Sequence, residues 1–188
     1  MIKTWILRSM SVKNSPIFYE YLKYGKLSSA NFQTKKRRGE VAMVLESGDS
    51  IWMLRKDHYE NSLYRIPTGG IHHDETTLQT LQRELFEETG IREKLKTKLL
   101  GTIVYEISLP EEKVYFASYI FTIKFGDRTP VATDENEGIS GFKKVAKSRV
   151  GQIAQSWANQ ENLKKKPYWS EWCQFRAILH QKVTELLK

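Results

Sequence analysis

Three glutamates near the middle of the chain have the spacing of a metal-binding cluster. Glu84, Glu87 and Glu88 occupy positions i, i+3 and i+4, so their carboxylates share one face if the segment is helical. They would lie in the last turns of that helix, where the helix dipole makes each anion cost about 0.3–1 kcal/mol. A bound divalent cation reverses this cost, and carboxylate oxygens suit Mg²⁺ or Mn²⁺. The residues alone leave two interpretations open: a metal site or a solvated acidic face.

The helix that carries these glutamates is predicted to span residues 76–89. Thr76 can cap its N-terminus while Gln79 completes a capping box. Gly90 can supply the left-handed residue that ends it. The apolar stripe that we expect to face the core consists of Leu78, Leu81 and Leu85.

The stretch from Gly69 to Ile91 resembles the Nudix box, Gly-x5-Glu-x7-Arg-Glu-U-x-Glu-Glu-x-Gly-U, in which U is an aliphatic residue. The nine specified positions are filled by Gly69, Glu75, Arg83, Glu84, Leu85, Glu87, Glu88, Gly90 and Ile91. So many residues at fixed spacing make a far more specific signal than a lone glycine motif. The chain is therefore identified by resemblance as a member of the Nudix hydrolase superfamily.

The resemblance implies a fold and an activity. The fold is of the α/β (α+β) class, an α/β/α sandwich with a mixed central sheet. The activity is that of a hydrolase acting on acid anhydrides, which cleaves the diphosphate linkage of a nucleoside diphosphate joined to another moiety. Water would attack directly, with Mg²⁺ or Mn²⁺ as the cofactor.

Roles for the box residues follow from the same resemblance. Metal would be bound by Glu84, Glu88 and Glu87, with a backbone carbonyl at Gly69 or Gly70 as a further ligand. Arg83 would orient the glutamates and, with Glu87, belong to the catalytic group. Glu75 and Gly90 would be structural, since they fix the loop and the helix end.

A second acidic cluster, Asp134-Glu135-Asn136-Glu137-Gly138, is expected to supply the general base. The resemblance places an acidic residue ahead of an aromatic-bearing strand, which here would contain Phe142. Glu137 is the first choice and Glu135 the second, with a box glutamate as the alternative base. A polar surface loop is the competing interpretation. The candidate contacts for substrate phosphate are His72, His73, Arg55 and Arg65.

Two basic runs and a group of aromatic residues indicate less about function than the box does. Lys35-Lys36-Arg37-Arg38 and Lys164-Lys165-Lys166 are expected to be solvated, although either could help to hold a polyanion. Trp169, Trp172 and Phe175 recur at helical spacing, and we expect them to pack on the sheet rather than to stack on a base.

The chain divides into three predicted zones. Residues 1–38 form a leader with a strand at 4–12 and a short helix at 17–22, after Ser15-Pro16. Residues 39–155 form the Nudix hydrolase domain, with strands at 41–45, 51–54, 99–108, 113–125 and 142–145. Residues 156–188 form a C-terminal helical extension packed on the same domain. Its apolar stripe includes Phe175 and Leu179, and Arg176 and His180 are placed off that stripe.

Composition limits the remaining classes. The 188 residues carry a formal charge of +8, which favours anionic partners. No apolar run is long enough to cross a bilayer, and we expect no signal peptide, so the location is predicted to be cytoplasmic. The single Cys173 excludes an internal disulfide.

Several functions stay open beside a small-molecule nucleotide hydrolase. One alternative is a non-catalytic Nudix-fold module that senses nucleotides or binds nucleic acid. Another is an RNA 5′-end pyrophosphohydrolase, which the positive charge favours mildly. The leader strand could also pair across a homodimer. The sequence does not identify the nucleoside diphosphate derivative.

Overall fold

The computed structural model describes residues 15–59, 63–163 and 166–188. Within these residues seven strands form one sheet. In chain order they are β1 (Ile17–Lys23), β2 (Arg37–Ser47), β3 (Ser50–Lys56), β4 (Thr68–His72), β5 (Thr97–Ser108), β6 (Lys113–Lys124) and β7 (Ile139–Ala146). The described α-helices are α1 (Ser29–Phe32), α2 (Thr77–Thr89), α3 (Val150–Ala158) and α4 (Trp169–Leu186). The predicted strand at 4–12 lies outside the described residues.

The sheet is mixed, as predicted. Its strand order is β1-β5-β6-β2-β3-β7, and β4 pairs with β2 off this path. β1 runs parallel to β5 and β2 parallel to β6, whereas the remaining pairs are antiparallel. The strands predicted within 39–155 are all present; four are longer than predicted by a few residues, and β6 ends one residue earlier, at Lys124.

Helices cover both faces of the sheet. Val41, Met43 and Leu45 of β2 pack in one core with Leu81 and Leu85 of α2. Alternate residues of the same strand, Ala42 and Val44, pack in a second core with Phe175, Leu179 and Val183 of α4. Because neither face of the middle of β2 meets water, residues 41–45 form a continuous apolar run. This arrangement is the α/β/α sandwich that the box implied.

The helix predicted at residues 17–22 is wrong, because this segment forms strand β1. Its β-branched and aromatic residues, such as Ile17 and Phe18, favour extended backbone. β1 pairs with β5 from Ile17 opposite Thr102 to Lys23 opposite Ser108. The backbone groups of the segment are thereby bonded to a neighbouring strand, which outweighs the local signal of Ser15-Pro16.

Two expectations about α2 and its surroundings also need correction. The capping box of Thr76 and Gln79 and the left-handed Gly90 are confirmed. Leu78, however, is 46% exposed, so it does not belong to the core stripe. The Gly69-Gly70 segment, where no strand was predicted, is part of strand β4 and pairs with β2.

Arg176 and His180 of α4 are buried, contrary to the expectation that they lie off its apolar face. His180 Nε2 accepts from the backbone N–H of Ile66 at 3.1 Å, and its Nδ1 lies 2.7 Å from the carbonyl oxygen of Arg176. Burial lowers the pKa of His180 to about 4, so the ring is neutral. Polar residues on this face are tolerated because each one has a specific partner.

Helix α4 is fixed to the start of the sheet by one carboxylate. Glu171 Oε1 accepts from the backbone N–H of Gly25 at 2.8 Å. Its Oε2 accepts from Lys26 at 2.9 Å and from Leu27 at 2.8 Å. The segment after β1 is thereby held against the N-terminal turn of α4, the part of this helix that reaches the cleft described below.

Replacing Glu171 by alanine is expected to lower the free energy of unfolding by about 1–2 kcal/mol, because three backbone donors lose a charged acceptor. Denaturant titration measures the change. The matched control is Glu185→Ala in the same helix. The carboxylate of Glu185 lies 3.5 Å from Lys182 Nζ, and its removal should change the free energy of unfolding by less than about 0.5 kcal/mol. Equal losses in the two variants would contradict the assigned role of Glu171.

No helix in the described part of the chain combines the length and apolar character needed to cross a membrane.

Candidate active site

A cleft of about 610 Å³ joins the Nudix-box segment to the C-terminal helix. Gly69, Gly70 and Glu84 line it, and so do Tyr168 and Trp172. Residues about a hundred positions apart in sequence therefore share one cavity. A cleft of this size and depth is where a small-molecule ligand is first sought.

The two glycines of β4 make room for charged side chains. A Cβ on Gly69 would lie only 1.8 Å from Cδ of Glu84, and a Cβ on Gly70 only 2.7 Å from Cδ of Arg37. Because side-chain directions alternate along a strand, Glu84 and Arg37 flank β4 on opposite faces at successive residues. Both side chains nevertheless line the cleft.

Arg83 is the centre of the hydrogen-bond network around the box. Its Nε and Nη2 donate to Glu75 at 2.7 and 2.9 Å. Its Nη1 donates to Glu84 at 2.6 Å and to Glu87 at 2.9 Å, and Nη2 also donates to the carbonyl of Gly70 at 2.9 Å. One guanidinium thus holds three carboxylates in a fixed arrangement.

Glu75 connects this network to the start of α2. It accepts from Thr80 Oγ1 at 2.9 Å and from the backbone N–H of His72 at 3.3 Å. Hydrogen bonds from Arg83 hold the pKa of Glu75 down at about 2. The geometry supports the structural role that the resemblance implies for this residue.

Glu88 is a fully buried carboxylate whose two oxygens have no hydrogen-bond partner among the described residues. The guanidinium of Arg65 lies 3.7 Å from Oε1, too far for a hydrogen bond. Burial raises the pKa of Glu88 to about 8, against the pull of Arg65, and the charges of Glu84 and Glu137 add to the rise. Burial also raises the pKa of Glu84.

The donor set fits a hard divalent cation, although no finished metal cage is present. Among residues 15–59, 63–163 and 166–188, no three carboxylate, imidazole or thiol side chains converge on one point. Arg83 instead occupies oxygens of Glu84 and Glu87. The unsatisfied oxygens of Glu88 and the mutual repulsion of the carboxylates are nevertheless the features that a cation would relieve.

Glu137 lies at the cleft, whereas Glu135 does not line it. Both belong to a short 3-10 helix, Glu135–Glu137. Lys56 Nζ donates to Glu137 Oε2 at 2.5 Å. Glu137 is near enough to the box to raise the pKa of both Glu84 and Glu88. The structure therefore brings this second acidic cluster beside the first.

The loop that carries Glu137 is bonded to the end of α2. The backbone N–H of Thr133 donates to the carbonyl of Glu87 at 2.9 Å, and its hydroxyl donates to the carbonyl of Phe86 at 2.9 Å. The bond to Glu87 satisfies a carbonyl that the helix end leaves without a partner, while Phe86 also accepts from Gly90. The two acidic clusters are thus joined by direct hydrogen bonds.

The four candidate phosphate contacts have different environments. Arg65 is buried and lines the cleft, with Nη1 donating to Thr68 Oγ1 at 2.7 Å. His72 is exposed and also lines the cleft. His73 and Arg55 are not among the lining residues. Arg55 Nε donates to Ser140 Oγ at 3.1 Å on the neighbouring strand β7.

Sequence reasoning missed Arg176 as a cation that approaches the cleft from outside the box. Arg176 Nη1 donates to Glu40 at 3.0 and 2.9 Å, and Ser118 Oγ donates to the same carboxylate at 2.8 Å. Burial alone would raise the pKa of Glu40, but Arg176 and Arg37 lower it below its usual value. The helix also contains several other polar residues, so nothing in the sequence singled out Arg176.

Known proteins match this chain in sequence and in fold. The model of the NUDIX domain matches residues 35–173. An RNA pyrophosphohydrolase of Baumannia cicadellinicola subsp. Homalodisca coagulata is 39% identical over 70 residues. That alignment spans 36% of this chain and 42% of the relative, so less than half of the relative's length is matched.

Among solved structures, the E. coli dihydroneopterin triphosphate pyrophosphohydrolase superposes with a TM-score of 0.52. The superposition covers 77% of this chain and 97% of that protein at 20% sequence identity. At this identity the likeness establishes the fold.

Proposed function

The chain belongs to the NUDIX domain family, and from that premise we propose that it is a metal-dependent hydrolase of phosphoanhydride bonds. The substrate would be a nucleoside diphosphate linked to another moiety, cleaved by direct attack of water. The observation that carries the proposal is the buried, unsatisfied carboxylate of Glu88 beside Glu84 and Glu137. A stable fold gains nothing from such a group, whereas a cation site requires it.

Each acidic residue would have a distinct task. Glu84 and Glu88 would hold Mg²⁺ or Mn²⁺, with Glu87 as a further ligand. The carbonyl of Gly70 accepts from Arg83, so a backbone ligand would come from Gly69. When bound, the metal neutralises phosphate oxygens and lowers the pKa of water.

The remaining residues position these groups and handle the proton. Arg83 keeps Glu84 and Glu87 oriented through the bonds described above. Glu137 would accept the proton of the attacking water, and Lys56 holds its carboxylate at the cleft. Glu87, which is bonded to Arg83, is the alternative base.

A second candidate function is hydrolysis at the 5′ end of RNA. It is favoured by the partial match to an RNA pyrophosphohydrolase and by the formal charge of +8. Both candidates use the same carboxylates, so they differ only in what surrounds the cleaved bond. A non-catalytic sensor would share the fold but would show no turnover.

Chromatographic detection of the products, a nucleoside monophosphate from nucleoside diphosphate derivatives and a shortened 5′ phosphate from 5′-triphosphorylated RNA, in the presence of Mg²⁺, Mn²⁺ or chelator, tests the proposal. We expect turnover only with metal. Metal should also raise the melting temperature, since a ligand at a hundredfold excess over Kd stabilises by about 2.7 kcal/mol. Absence of turnover with every substrate would indicate a sensor. An equal metal-induced shift in a Glu84→Gln, Glu88→Gln double variant would place the metal elsewhere.

A further inference from the structure

The cleft contains more positive charge than its carboxylates can balance. Four cations have an acidic partner within 4 Å: Lys56 with Glu137, Arg65 with Glu88, Arg83 with Glu84, and Arg176 with Glu40. Three further lining cations, Lys36, Arg37 and Lys166, have no carboxylate within 4 Å in the described part of the chain. This surplus is the feature that the proposed hydrolysis of a diphosphate leaves unexplained.

Arg37 is the least expected of the three, because it is half-buried. Its Nε donates to the carbonyl of Phe32 at 2.9 Å, which holds the side chain in place. Burial lowers the pKa of Arg37, with the charge of Arg176 adding to that effect and Glu40 opposing it. A partly desolvated guanidinium without an ion pair costs stability unless an anion binds it.

The other two cations extend this positive region. Lys36 precedes Arg37 and is exposed at the cleft. Lys166 lies at the approach to α4, with Nζ 5.0 Å from the ring centroid of Trp169. Fixed cations that share one cavity attract polyanions and raise their local concentration.

The position of Arg37 also limits where the additional anion lies. Its guanidinium is accommodated at Gly70, the residue directly after the glycine that accommodates Glu84. Successive residues of a strand are about 3.3 Å apart. Although the two side chains lie on opposite faces of β4, both line the cleft, and the charge of Glu84 is close enough to act on the pKa of Arg37. An anion at Arg37 would therefore share the cavity with a phosphate at the box glutamates, as the next member of a phosphate chain would.

We propose that Lys36, Arg37 and Lys166 form a subsite for a third phosphate, so that the substrate is a 5′-triphosphate end. The inference rests on the proposed function for the cleavage step, but the subsite itself is a binding site. A divalent cation can balance the two charges of a diphosphate linkage, and the three surplus cations are more than enough to balance a further phosphate. A free nucleoside triphosphate and the 5′ end of an RNA carry the same triphosphate group.

Calorimetric titration of the full chain with inorganic tripolyphosphate and pyrophosphate, without added metal, tests the subsite independently of turnover. The wild-type protein should bind tripolyphosphate at least about tenfold more tightly than it binds pyrophosphate. Lys36→Gln and Arg37→Gln should each reduce that ratio about three- to tenfold, because each removes one phosphate partner. The matched control is Lys35→Gln, an exposed residue of the same basic run that does not line the cleft. Equal affinity for the two anions, or an equal effect of Lys35→Gln, would overturn the proposal.

Turnover with Mg²⁺ separates this proposal from the one on which it rests. The kcat/KM for ATP should fall in Arg37→Gln mainly through KM, whereas the kcat/KM for ADP-ribose should stay within about twofold. Equal losses for both substrates would refute a third-phosphate subsite. If no substrate is turned over but the tripolyphosphate preference still depends on Arg37, the hydrolase assignment fails and the subsite stands. Comparing ATP with a 5′-triphosphorylated oligonucleotide identifies which source of the triphosphate is used.

Discussion

Replacement of Glu88 by glutamine is expected to remove most turnover while the fold stays intact. The variant keeps the shape of the buried side chain but loses a ligand charge. Loss of a metal contribution of several kcal/mol corresponds to a fall of about 10²–10⁴-fold in kcat. Steady-state rates at saturating Mg²⁺ measure the effect. Glu93→Gln, an exposed glutamate paired with Arg128, is the matched control and should keep the wild-type rate.

The same variant has a second expected signature in the metal-free protein. Folding raises the pKa of Glu88 from 4.5 to about 8, so the folded state binds its proton more tightly than the unfolded state. The free energy of unfolding of wild type therefore decreases as pH rises from about 4.5 to 8. In Glu88→Gln the free energy of unfolding should not decrease in this way, so the variant should become more stable than wild type as the pH rises through that window. A near wild-type rate together with an unchanged pH dependence would refute the ligand assignment.

Glu137→Gln is expected to lower kcat by about 10²–10⁴-fold with a much smaller change in substrate binding. A base beside the attacking water acts on the transition state and hardly on the ground state. The loss should shrink at high pH, where hydroxide replaces the missing base. Single-turnover rates measured across pH, together with the dissociation constant of a slow substrate, separate the two effects.

Glu135→Gln is the comparison that this prediction needs. The two glutamates belong to the same 3-10 helix, but Glu137 lines the cleft and Glu135 does not. We therefore expect Glu135→Gln to resemble wild type. A large loss in Glu135→Gln with a wild-type rate in Glu137→Gln would assign the general base to Glu135 instead. Wild-type rates in both variants would assign the base to the box glutamates.

Most of the fold was predictable because its signals are local. The start and the end of α2 follow from Thr76, Gln79 and Gly90, and strands such as β5 follow from their composition. Segment 17–22 was misjudged because its conformation is decided by pairing with β5, some 85 residues later. No local pattern of Ser15-Pro16 contains that information, and tertiary pairing overrides propensity.

The candidate site divides in the same way. Glu84, Glu87 and Glu88 could be found because their spacing is a property of one helix. The place of Arg37 at the cleft could not be found, because it depends on the pairing of β2 with β4, and that of Arg176 could not, because it depends on the packing of α4 on the sheet. Burial of Arg176 depends on Glu40, a partner 136 residues away. Charge complementarity between such distant residues leaves no periodic pattern in a single sequence.

The ion pair of Glu40 and Arg176 has a consequence for biosynthesis. Glu40 lies in a central strand, and its partner is translated 136 residues later. At an elongation rate of about 5–20 residues per second, the carboxylate waits roughly 7–27 seconds before Arg176 is synthesised. Until then, Glu40 lacks the cation that bonds to it directly, and burying a charge without its ion-pair partner is strongly unfavourable. The central strand β2 is therefore expected to reach its fully buried position late, only after α4 has been synthesised.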